Sequence, residues 1–178
     1  MSLSPLRVLA SLLLPMLVAA CGSTPAPQAV MDHDAQFDFS AVHKIYLVPF
    51  SRTDPATITI SDMQVDRINA SIAEELRRKG FDMVTEASQA DLFLSWYLVT
   101  EDNISTGSNP RYASGSTGKY KQGTLVVDMT DPMRNQAVWR GIFQSRLKAH
   151  PDPQESDAIR RTATQAIFSD FPPAGTRS

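Results

Sequence analysis

The chain has one cysteine and three histidines in 178 residues, and that scarcity removes whole classes of chemistry. A lone Cys21 excludes any internal disulfide and any multi-cysteine metal cage. The three histidines, His33, His43 and His150, have no second His or Cys at metal-ligand spacing. Excess charge is lacking as well, with 17 Lys and Arg against 19 Asp and Glu. No run of Lys or Arg supplies a nucleic-acid footprint or a polybasic site for anionic lipid, so no nucleic-acid partner is expected. No Gly-x-Ser-x-Gly elbow is present. Gly115-Ser116-Thr117-Gly118-Lys119 fails as a phosphate loop, because Ala113 stands at the leading Gly and Tyr120 at the Ser/Thr that binds magnesium. Asp32-His33-Asp34 reads as a solvated acidic stretch, and Asn103-Ile104-Ser105 as a bare sequon match. No catalytic residue, metal or cofactor is expected, and the chain reads as a non-enzyme.

What is present begins at the N-terminus. Arg7 precedes an apolar run from Val8 to Leu17, interrupted only by Ser11 and Pro15 and too short to persist as a spanning helix. Val18-Ala19-Ala20-Cys21 follows, and it resembles the lipobox of bacterial lipoproteins. That resemblance implies a diacylglycerol on the Cys21 sulfur, cleavage between Ala20 and Cys21, and a further acyl chain such as palmitate on the freed amine. The alternative is an ordinary signal peptide with Cys at its cleavage site. One acyl chain binds a membrane marginally and two anchor it stably. Gly22, where an acidic residue would retain the protein at the inner membrane, resembles the pattern of lipoproteins sorted to the periplasmic face of the outer membrane. The expected organisation is a signal peptide over 1–20, the acylated Cys21 and a flexible tether over 21–36, one domain over 37–173, and a disordered tail over 174–178. The mature 158 residues carry 16 basic and 19 acidic side chains, a net of −3. That length suits one domain with a core of its own.

Periodicity orders the domain. Val42–Phe50 reads as a strand. Ser61–Lys79 reads as a helix, with a Ser61/Gln64 capping box, an apolar stripe at Val65, Ile68, Ile72 and Leu76, and Gly80 as its stop. Phe81–Thr85 is a short strand, and 91–100 a strand apolar on both faces, which suits a sheet covered twice or one with a face awaiting a partner. Residues 101–118 read as a long Gly/Ser/Asn loop, functional or mobile. Tyr120–Met129 and Gln136–Ala149 form a hairpin about the turn residues Asp131–Asn135. On its second arm Trp139, Phe143 and Leu147 face inward, and Arg140, Gln144, Arg146 and Lys148 outward. Asp152 and Pro153 open the last helix. The expected fold is α+β, a mostly antiparallel five-stranded sheet with two helices packed on one face.

Phe37-Asp38-Phe39-Ser40, the run Glu75 to Phe81, Ala90-Asp91-Leu92, the run Gly123 to Asp128, Asp131-Pro132, Val138-Trp139-Arg140-Gly141 and Phe171-Pro172-Pro173 occur in that order. Together they resemble the bacterial lipoproteins grouped as domain of unknown function 4136. Ala90, where Pro is expected, and the Gly/Ser-rich loop depart from the pattern. The resemblance implies an α+β lipoprotein domain with no assigned catalytic residues. The function expected is a membrane-anchored binding or assembly module of the bacterial envelope, with Arg140, Gln144, Arg146, Lys148 and the 101–118 loop as contacts to an envelope protein. The alternative is a carrier of lipid or another hydrophobic ligand, in a groove between sheet and helices.

Overall fold

The computed structural model describes residues 29–52, 60–105, 118–147 and 152–173. Six strands and two helices follow in chain order: β1 (Ala29–His33), β2 (Lys44–Leu47), α1 (Asp62–Arg78), β3 (Asp82–Val84), β4 (Leu92–Ser105), β5 (Gly118–Asp131), β6 (Gln136–Leu147) and α2 (Pro153–Ile167). They make one mixed sheet in the order β1-β6-β5-β4-β2-β3.

Both helices begin and end where local chemistry dictates. Ser61 Oγ accepts from the Gln64 amide at 3.3 Å while Gln64 Oε1 accepts from the Ser61 amide at 3.2 Å, which closes the capping box. At the other end Gly80 adopts φ +94°. Its amide bonds the Arg77 carbonyl at 2.9 Å, and the Phe81 amide bonds the Leu76 carbonyl at 3.0 Å, the paired closure of a Schellman motif. For α2, Asp152 Oδ1 accepts from the Glu155 amide at 2.7 Å, with Pro153 in the first turn.

Strands β4, β5 and β6 form an antiparallel meander. Its inward positions, Leu92, Leu94, Trp96, Leu125, Val127, Met129, Trp139 and Phe143, join the α1 and α2 stripes in a single core. Trp139 is buried, as expected, and so is Trp96, whose indole donates to Asn69 Oδ1 of α1 at 2.8 Å.

Three expectations need correction. The sheet has six strands, not five, because Ala29–His33, expected within the tether, pairs antiparallel with β6 from Ala29↔Phe143 to His33↔Trp139. Main-chain pairing compensates for a composition with little strand propensity. The sheet is also mixed, because β2 runs parallel to both β3 and β4. A parallel pair needs a crossover, and α1 supplies it between β2 and β3. The loop expected over 101–118 shrinks as well, since pairing continues through Ser105↔Gly118. Residues 106–117 lie outside the described residues.

The turn between β5 and β6 carries a testable charge. Asp131 is 8% exposed. Its Oδ2 accepts from Arg134 Nε at 2.7 Å, and its Oδ1 from the Met133 amide at 2.8 Å. The Arg134 bond, above all, holds its carboxyl below the ordinary carboxylate range against the opposing cost of burial. A depressed folded-state pKa stabilises above the unfolded value near 3.8 and loses that stability as pH falls through the folded value. Urea titrations between pH 5 and 2 should therefore show a shallower acid loss for Asp131→Asn than for the wild type. Equal slopes would remove Asp131 from the acid response.

Candidate functional site

Both helices lie on one side of the sheet, and no described element covers the other. Strand register assembles that helix-free face from four separate stretches of chain. Val30 pairs with Ile142, Ile142 with Val126, and Val126 with Tyr97, so four side chains apolar in whole or part form one row across β1, β6, β5 and β4. Val30 at the edge is 66% exposed, whereas Val126 at the centre is 5% exposed under its neighbours. Toward the far edge Phe93 of β4 and Tyr46 of β2 pair and meet edge to face, ring centres 5.6 Å apart.

A charged row runs alongside. Asp32, Arg140 and Asp128 are register partners. Arg140 Nε and Nη2 donate to Asp128 Oδ1 and Oδ2 at 2.6 and 2.8 Å, a bidentate fork. Hydrogen bonding and attraction from Asp128, with smaller help from Tyr97 and Asp32, hold the guanidinium still more firmly protonated. The fork fixes the β5–β6 register on the wet side and spends most of the directional capacity of Arg140 within the chain.

The residues expected to make contact divide accordingly. Arg140, Gln144 and Arg146 do share the helix-free face, at alternate positions of β6, and all are exposed. Lys148, Ala20 and Cys21 lie outside the described residues. Val30, Val126 and Ile142 were not expected at the site. The one sequence signal for an apolar second face was the double-sided pattern of β4, and among the described residues no element covers that face. Among the described residues, no group of three or more His, Cys, Asp or Glu is placed to hold a metal ion. No described helix is long and apolar enough to cross a membrane.

A concavity of about 220 Å³ opens between the helices and one end of the sheet. Its floor is Leu98, Gly123, Leu125 and Phe143, and α2 contributes Ile159 and Arg160. Its lining is mostly apolar.

Residues 29–173 match the protein family described as Domain of unknown function (DUF4136). The chain belongs to that family. No curated protein matches it. Among solved structures, a DUF4136 family protein from Bacteroides thetaiotaomicron is 17% identical, with TM-score 0.52 over 82% of this chain and 94% of its own. PelC from Paraburkholderia phytofirmans, solved as a dodecamer, is 14% identical, with TM-score 0.51 over 80% and 96%. A PDZ domain protein from Parabacteroides distasonis is 13% identical, with TM-score 0.50 over 82% of this chain but only 36% of its own. At these identities the likeness is one of fold.

In this DUF4136 domain several residues that carried the resemblance have structural work. Asp91 Oδ2 accepts from the amides of His43 and Lys44, both at 2.8 Å, and so ties the start of β2 to β4. Phe39, Trp139 and Phe171 meet edge to face within the core.

Proposed function

We propose that this DUF4136 protein is a lipid-anchored, non-catalytic module of the bacterial envelope that docks an envelope protein on its helix-free sheet face. The observation that carries the reading is the Val30–Ile142–Val126–Tyr97 row, an apolar band across four strands with its edge residue 66% exposed. Such a band is stabilised by a partner that removes it from water. Gln144 and Arg146 border it and suit a polar rim. The lipobox-like Val18–Cys21 supports a diacylglyceryl and palmitoyl anchor on Cys21, and Gly22 supports the periplasmic face of the outer membrane. That PelC, of similar fold, occurs as a dodecamer supports assembly as a use of this architecture.

The test is photo-crosslinking in living cells, with probes at Val30, Tyr97 and Ile142 and a control probe at Met63, which is 62% exposed on α1. A discrete protein adduct at the three face positions and not at Met63 is the expected result. Ile142→Asp should then reduce recovery of that partner at least tenfold while circular dichroism is unchanged. Adducts only to lipid, or the same adducts at Met63, would overturn the docking role.

A further inference from the structure

The groove at the other side of the sheet has features that the docking role does not use. Its floor is mostly apolar: Leu98, Leu125 and Phe143 lie beside the small register partners Gly123 and Ser145, and Leu147 packs over Gly123. One strong charge borders it. The Arg160 side chain is only 16% exposed and is ion-paired to Asp157 one turn away on α2. Burial, then repulsion from Arg67 of α1 and from Arg161, makes its charged state costlier than in water. The Asp157 pair answers one charge of that group. An arriving anion would relieve the rest, and a guanidinium meets a carboxylate in a planar fork.

The groove also lies at the end of the domain where the chain enters. Ala29 pairs with Phe143, a floor residue, and stands eight positions after Cys21. At about 3.5 Å per residue, eight residues span at most about 28 Å. An acylated Cys21 therefore keeps this end of the domain close to the membrane.

We propose that the groove binds the acyl chain of a long-chain fatty acid taken from that membrane, with the carboxylate at Arg160. The orientation toward the membrane rests on the anchor assigned above; the groove and its charge do not.

Titration of cis-parinaric acid into the full mature chain carrying Cys21→Ser, which has no anchor, tests the site by itself. Saturable fluorescence enhancement is expected. Ser145→Trp, which fills the floor, should weaken binding at least tenfold, and Ser156→Phe should do the same from the helix side if the first variant does not fold. Arg160→Gln should weaken the acid at least tenfold and leave the methyl ester of the probe within twofold of wild type. Absence of saturable binding, or binding indifferent to both filling variants, would overturn the site. Equal loss of acid and ester in Arg160→Gln would overturn the assignment of the carboxylate to Arg160. Radiolabelled palmitate incorporation into the wild type reads the anchor separately, so either idea can fail without the other.

Discussion

Trp139→Ala is expected to lower the free energy of unfolding by about 3–5 kcal/mol, the range for deleting a buried aromatic ring. The indole is 2% exposed. It stacks on Phe168, with ring centres 5.6 Å apart at 12°, and meets Phe171 edge to face at 5.3 Å. The ring also lies across Gly141, two residues along the same face of β6. A Cβ at Gly141 would approach the indole Cη2 to 2.5 Å and Ile167 Cγ2 to 2.7 Å. Removing the indole thus opens a void walled by β6, α2 and the segment after it, and a void with rigid walls collapses poorly. For a domain whose whole stability is about 5–15 kcal/mol, that is about a fifth or more. Urea unfolding of the Cys21→Ser chain, followed by the fluorescence of Trp96, measures it. The complementary insertion, Gly141→Ala, should cost about 1–3 kcal/mol through overpacking. A loss under 1 kcal/mol for Trp139→Ala would mean that Phe168 and Phe171 refill the space.

Val138-Trp139-Arg140-Gly141 was readable as a family signature, but the packing of the Trp139 ring across Gly141 was not. Helix α1 was legible to within a residue at each end because all of its determinants are local: Ser61 with Gln64, the stripe from Val65 to Leu76, and Gly80. The meander was legible because alternation survives in β4, β5 and β6. Strand β1 was not, since Ala29-Val30-Met31-Asp32-His33 has neither strand composition nor flanking turn signals, and it is a strand only because β6 offers it a free edge. The parallel placement of β2 was implicit in the strand–helix–strand order, but a three-residue β3 is too short to declare its direction by pattern. The candidate face shows the same division. Outward Arg140, Gln144 and Arg146 follow from period two on a single strand. The apolar row does not, because residues 30, 142, 126 and 97 become neighbours only through register. The groove is less legible still, for sheet residues such as Leu98 and Phe143 share its lining with helix positions far away in sequence.

The late start expected for the domain also changes what Cys21→Ser should do. With the first strand expected at Val42 and the tether running to Gln36, a flexible reach of roughly 20 Å was already expected to hold the domain close to its membrane. With β1 beginning at Ala29, the sheet edge starts only eight positions after Cys21. Wild-type protein should incorporate labelled palmitate and sediment with membranes. Cys21→Ser should abolish the label, because the chain has no other cysteine to accept a thioether-linked lipid. Each buried methylene contributes about 0.8 kcal/mol, and one myristoyl chain alone gives an association constant of only about 10⁴ M⁻¹. Loss of two or more chains should therefore shift the distribution between membrane and soluble fractions by more than 100-fold. The readout needs a signal peptide cleaved without lipidation in place of residues 1–20, so that the apolar run from Val8 to Leu17 does not itself hold the chain at the membrane. Soluble, folded protein is the expected result. Continued sedimentation with membranes would instead mean that the folded domain holds lipid or a membrane partner without the anchor. The crosslinking probe at Ile142 and the groove-filling Ser145→Trp variant would then show which face does so.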